Sequence, residues 1–141
     1  MAIASPSILI SDDDIEFRET LRGMFEPRGY RTFVTGDGQE AVEIVRSEPI
    51  HLALLDLHMP RLSGLEVLEL IKQFNSLLPC ILMSAGLDEV VRRRTEPLAF
   101  SVLAKPVSGH QVRSTVERAL RAAYDWPQES AAEEERQPRW V

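Results

Sequence analysis

Ser7-Ile8-Leu9-Ile10-Ser11-Asp12-Asp13-Asp14 is the stretch that decides the fold. Its apolar centre is too short for a helix and β-branched enough for a strand buried on both faces. Three aspartates then stop it, and a helical pattern follows at once. Phe17, Leu21, Met24 and Phe25 fall on one face of a helix running from Ile15 to Pro27, where Pro27 and Gly29 end it. A strand feeding directly into an amphipathic helix is half of a βαβ unit, and the rest of the chain repeats it. Tyr30 to Val34 reads as a second strand, Thr35-Gly36-Asp37-Gly38 as a turn and cap, and Gln39 to Ser47 as a helix. His51 to Leu55 is a third strand ending at Asp56, followed by a loop to Gly64 and a helix with Val67, Ile71 and Phe74 on one face. Pro79 to Met83, ending at Ser84, is the fourth strand, and Leu87 to Glu96 a shorter helix closed by Pro97. Phe100 to Ala104 is the fifth strand, and Val112, Val116, Ala119, Leu120 and Ala123 mark a last helix.

Five strands alternating with five helices imply a parallel sheet, because each return to the same end needs a crossover. Right-handed crossovers with helices on both faces predict an α/β, doubly wound, five-stranded sheet, for which 2-1-3-4-5 is a common order. The size agrees with one domain: 141 residues, 44% of them hydrophobic and 27% charged. One cysteine, Cys80, excludes an internal disulfide and any CxxC metal site. A formal charge of −6 argues against a general nucleic-acid binder. No stretch of about 18 apolar residues offers a membrane span, and the start lacks a basic leader, so a cytoplasmic protein is expected. Asp125 to Val141 holds five acidic residues, two prolines and no apolar helix face. It reads as a polar acidic tail or linker, with a frayed Trp126 and Trp140 the plain expectation and docking of a tryptophan the alternative.

In this fold the strands' carboxyl ends meet at one edge, where ligands bind. Asp12 and Asp13, Asp56, Ser84 and Lys105 all stand at such ends. Carboxylates converging there repel one another unless a cation sits among them, and Mg²⁺ suits an all-oxygen site. Lys105 is one of two lysines against fourteen arginines, and a compact ammonium serves as a point charge where an arginine fork demands bidentate geometry. A carboxylate nucleophile, a divalent cation, a lysine and a hydroxyl are what phosphoryl transfer to an aspartate needs. Taken singly, each residue also has a plainer use: Asp12 to Asp14 and Ser84 as helix caps, Asp56 in a turn, Lys105 in solvent. It is their conjunction that carries chemistry.

Ile8 to Asp14, then Leu54-Leu55-Asp56-Leu57-His58-Met59-Pro60 with Gly64, Ile81-Leu82-Met83-Ser84-Ala85, and Lys105-Pro106 together resemble the receiver domain of two-component response regulators. The likeness covers about residues 5 to 124 and implies the flavodoxin-like (βα)5 fold. It implies that Asp56 takes a phosphoryl group from a phosphohistidine on a sensor histidine kinase or histidine phosphotransfer protein. Asp13, Asp56 and the His58 backbone carbonyl would ligate Mg²⁺ directly, and Asp12 through water. Lys105 would pair with Asp56 and then with the phosphoryl group, and Ser84 would turn inward to bond a phosphoryl oxygen. The Lys105-Pro106 peptide would be cis.

Three positions depart from the family's pattern. Val102 stands where a switch Tyr or Phe is common, Leu98 replaces a glycine, and Val107 replaces a frequent Phe. Phe100, on the same strand face as Val102, is the nearest aromatic that could share in a packing change. His58 would tune the phosphoryl lifetime, while Cys80 reads as a buried apolar residue and His51 and His110 give no signal. The leading expectation is a phosphorylation-dependent switch acting through protein contacts on a downstream target, with no output domain in these 141 residues. Homodimerisation through the fourth helix, fifth strand and fifth helix would engage Arg92, Arg93 and Arg94, for which a solvated face is the plainer reading. A Mg²⁺-dependent aspartyl phosphohydrolase is the alternative, although position 58 lacks the usual second acid and a cap domain has no room. A degenerate receiver that only binds a partner is the third possibility.

Overall fold

Every strand centre is apolar on both sides, and period-two alternation deals those side chains to two cores. The computed structural model describes residues 3–127. It contains β1 (Ser7–Ser11), α1 (Ile15–Phe25), β2 (Arg31–Thr35), α2 (Gly38–Ser47), β3 (Leu52–Asp56), α3 (Gly64–Phe74), β4 (Cys80–Ser84), α4 (Glu89–Thr95), β5 (Ser101–Ala104) and α5 (Gly109–Tyr124). The sheet is parallel throughout, in the order β2-β1-β3-β4-β5. Ile8, Ile10, Leu52, Leu54, Ile81 and Met83 pack with Leu21 and Phe25 of α1 and with Val112, Val116 and Leu120 of α5. On the other face Leu9, Ala53, Leu55, Cys80 and Leu82 meet Val42 and Val45 of α2 and Leu68 and Ile71 of α3. Burial of these side chains, at roughly 1.5–3 kcal/mol each, is what holds the layers together.

The helices start where short polar side chains accept their first free N–H groups. Asp14, Asp37 and Asp88 accept from Phe17, Gln39 and Val91 at 3.2, 2.7 and 2.9 Å. Ser63 and Ser108 form capping boxes with Glu66 and Gln111. Of the three leading aspartates, then, Asp14 is the cap. α1 stops at Phe25, two residues before the expected Pro27, and a 3-10 turn (Glu26–Arg28) closes on Gly29 at φ 90°. Only glycine adopts that backbone cheaply.

Strands two to four begin and end one residue later than their sequence suggests. Tyr30 gives its N–H to Phe25 at 3.3 Å rather than to the sheet, and Pro79 has none to give. At the other end Asp56 pairs with Met83 and Ser84 with Ala104, so both are last strand residues. Rigid strands, not loops, therefore position them. Phe74, expected on the buried face of α3, is 39% exposed, with the Arg46 guanidinium 4.8 Å from its ring centroid. Trp126 also departs from the frayed expectation: it packs on Tyr30 at 5.2 Å between ring centroids, against the α1/α5 core. Trp140 lies outside the described residues.

Candidate phosphoacceptor site

Asp12 and Asp56 are buried at the carboxyl edge of adjacent strands, 0% and 3% exposed, while Asp13 is exposed at the rim. Ligand atoms of the three carboxylates lie within 4.8 Å of one another. Among the described residues, Lys105 is the cation that ion-pairs with this cluster. Lys105 Nζ is 2.7 Å from Asp12 Oδ2 and 3.4 Å from Asp56 Oδ1, so it bridges both and sits nearer Asp12 than the expected partner. The other Asp12 oxygen accepts the Asp14 N–H at 2.9 Å. Asp56 Oδ1 also accepts the His58 N–H at 3.4 Å.

Charge balance at this edge is incomplete. Burial, and then the Asp12 charge, push the Asp56 carboxyl up to about 6 against the pull of Lys105. The Lys105 ammonium is held above its ordinary range: burial works to lower it, and the Asp12 and Asp56 carboxylates outweigh that. An all-oxygen set with buried negative charge in excess fits a hard divalent cation, as expected.

Two glycines let the edge close up. A Cβ on Gly64, the first residue of α3, would stand 2.3 Å from the Asp56 carbonyl, and one on Gly38 would stand 2.0 Å from the Leu62 carbonyl. Helix α3 can thus start directly behind the Asp56 backbone, with the Gly64 N–H donated to Leu57 at 2.9 Å.

Ser84 is at the same edge, but its hydroxyl donates to the Gly86 carbonyl at 2.6 Å and accepts the Gly86 N–H at 3.1 Å. It is engaged with its own loop and not with Asp56. The Lys105-Pro106 peptide is cis, as the resemblance implies. Val102 lines a cleft of about 270 Å³ with Ser84, Ala85, Arg92 and Glu96. Phe100 is 40% exposed and lines a separate groove with Leu77, Pro79 and Ala122, so the two do not share a cleft. Arg92, Arg93 and Arg94 pair with Glu96, Glu89 and Glu69 on the exposed surface of α4 and α3.

Sequence reading missed two neighbours of the cluster. Phe17, assigned to the core, is half-buried and presents its ring to Lys105 Nζ, 5.1 Å from the centroid. Arg18 donates to the Asp12 carbonyl at 3.1 Å. An arginine or a phenylalanine on an amphipathic helix has no spacing signal that would single it out.

The profile of the response regulator receiver domain matches residues 8–117. The chain belongs to this family. It is 36% identical over 119 residues to response regulator RR06 of Streptococcus pneumoniae, covering 84% of this chain and 54% of that one. Sporulation initiation phosphotransferase F of Bacillus subtilis is 33% identical over 114 residues, covering 80% of this chain and 92% of the relative. This receiver thus spans about half of the pneumococcal regulator and nearly all of the Bacillus protein. Among solved structures, a CheY-like receiver from Methanospirillum hungatei superposes with a TM-score of 0.83 at 21% identity, over 86% of this chain and 98% of that one, and shows the shared fold. The response regulator TrrA of Thermotoga maritima, solved with Mg²⁺-BeF, gives 0.72 at 26% identity over 82% and 99%. The receiver is a signalling module of two-component transduction. No helix among the described residues is long and apolar enough to cross a membrane.

Proposed function

We propose that Asp56 is the phosphoacceptor of a phosphorelay and that residues 5–124 form the switch it controls. The observation that supports this most directly is the meeting of Asp12, Asp13, Asp56 and Lys105 at one strand edge. A carboxylate oxygen of Asp56 attacks the phosphorus of a phosphohistidine on a sensor histidine kinase or phosphotransfer protein. The P–N bond breaks, and the imidazole leaves with its electron pair. Asp13, Asp56 and the His58 backbone carbonyl would hold Mg²⁺ directly. Asp12 would act through water, since both of its oxygens are already engaged by Lys105 and Asp14. Bound Mg²⁺ supplies the positive charge that the transferred group requires.

Lys105 then moves its ammonium from Asp12 toward the phosphoryl oxygens, a short step for a flexible stem. Ser84 exchanges its bond to Gly86 for one to the same group. Such a change at the β4 terminus biases the packing of α4 and β5 around the Val102 cleft, and a downstream protein reads the result. A cytoplasmic location follows from a kinase partner of this kind, and the composition of residues 125–141 supports reading them as a polar acidic tail or linker.

The test is intact mass after incubation with a small phosphodonor and Mg²⁺, with Asp56→Asn as the control. A single labile phosphoryl adduct, dependent on Mg²⁺ and lost in the variant, is the expected result. Donor consumption without an adduct would point to a hydrolase, and neither adduct nor consumption to a binding module.

A further inference from the structure

Arg18 lies in the first turns of α1, and its guanidinium turns back beneath the loop that carries the paired aspartates. Its Nη1 donates to the Asp12 carbonyl, the oxygen of the peptide that joins Asp12 to Asp13. The same residue is tied from the opposite side by its own N–H, which donates to Thr35 of β2 at 2.9 Å. Asp12 is therefore clamped at both ends of its backbone, once by the sheet and once by a side chain. The guanidinium occupies space that a side chain at residue 36, a glycine, would share. A Cβ there would stand 2.5 Å from Nη1. Gly36 lies outside the left-handed backbone region, so space and not conformation is what calls for glycine.

Arg18 forgoes the usual comforts of an arginine to hold this position. Its Nε is buried without a hydrogen-bond partner. Among the described residues it makes no direct ion pair, whereas Arg22, four residues along the same helix, pairs with both Glu19 and Glu26. A buried guanidinium N–H without a partner is costly, and the carbonyl contact is what remains to offset it.

We propose that Arg18 is a positioning residue for the divalent-cation site, holding the Asp12–Asp13 peptide so that both carboxylates converge on Asp56, with Gly36 as its matched niche. The inference rests on the phosphoacceptor reading. The sign of the effect separates positioning from charge. Removing the positive charge that contacts the Asp12 backbone would by itself tighten Mg²⁺ binding, whereas releasing a ligand-bearing peptide weakens it, typically by about 10- to 100-fold for groups that orient metal ligands.

The experiment is titration with MgCl₂ alone by calorimetry, following the Asp13 and Asp56 amide resonances in parallel, on the full chain and on Arg18→Met, Gly36→Ala and the double variant. Arg18→Met is expected to bind Mg²⁺ about tenfold more weakly while unfolding cooperatively. Gly36→Ala should show a similar loss by displacing the guanidinium, and the double variant should be no worse than Arg18→Met. At saturating Mg²⁺ the adduct at Asp56 should form in full. Unchanged or tighter binding in a folded Arg18→Met, or losses that simply add, would overturn the inference. If Arg18→Met does not fold, Gly36→Ala carries the same decision. A wild-type chain that binds no Mg²⁺ and forms no adduct overturns the phosphoacceptor reading itself.

Discussion

The two edges of the sheet are built on opposite terms. At the amino edge, polar groups are neutral and matched: the Ser7 N–H donates to His51 Nδ1 at 2.9 Å, and the Tyr124 hydroxyl donates to the His51 carbonyl at 2.7 Å. Aromatic rings seal it, with Tyr124 against His51 at 5.5 Å and Trp126 against Tyr30 at 5.2 Å. Tyr30 is the exception, since its buried hydroxyl has no partner and burial raises its pKa. At the carboxyl edge, two buried carboxylates share one bridging ammonium, with a third carboxylate close by at the rim. The contrast separates an end that stores stability from one that, on the proposed phosphoacceptor reading, gives stability up for reactivity. Substitutions at the two edges should therefore change stability in opposite directions.

The largest effect belongs to Asp56→Asn. The adduct is lost entirely, yet the protein gains stability at pH 7 without Mg²⁺, by about 1–3 kcal/mol in urea unfolding. The sign follows from a carboxyl whose folded pKa, about 6, lies above its unfolded value near 4. Such a group favours folding most when protonated, so stability falls as the pH rises from 4 through 6, and asparagine removes that loss. A destabilised Asp56→Asn would erase the contrast between the edges.

Next comes Trp126→Ala, which should cost about 2 kcal/mol by exposing Tyr30 and part of the α1/α5 core. Adduct formation at Asp56 should be unaffected, as measured by intact mass. Tyr124→Phe is smaller, at about 1 kcal/mol, because it removes one hydrogen bond and keeps the ring.

The smallest effect is the pH response of the amino edge. Burial lowers the pKa of His51, and its Nδ1 accepts the Ser7 N–H only while unprotonated. Its contribution is fully present above the unfolded pKa near 6.5 and is lost as the pH falls through the lower folded value, by under about 1 kcal/mol. Wild type and His51→Gln, compared by unfolding between pH 7 and 5, should converge toward the acidic end. Parallel curves would remove His51 from this account.

The alternation of strand and helix was legible because buried parallel strands are continuously apolar and amphipathic helices are not. Asp12, Asp13, Asp56, Ser84 and Lys105 were legible for a related reason, since each closes an apolar run and parallel strands deliver such closures to one edge. Phe17 and Arg18 were not, because their roles depend on which way a helix face turns toward the loop before it. Trp126 was hidden by the composition around it: a polar tail says nothing of a groove beside Tyr30.

The order of residue types along the chain thus determined by itself the fold class and the edge where charge collects. Both follow from local periodicity and the geometry of crossovers, whereas the strand order was one of several these allow and was singled out by the family resemblance. Only the tertiary structure decided that Lys105 leans toward Asp12, that Ser84 is held by Gly86, and that Arg18 fills the space a side chain at Gly36 would need. Those are matters of a few ångströms between residues far apart in sequence, where packing and electrostatics choose among rotamers that no local pattern encodes.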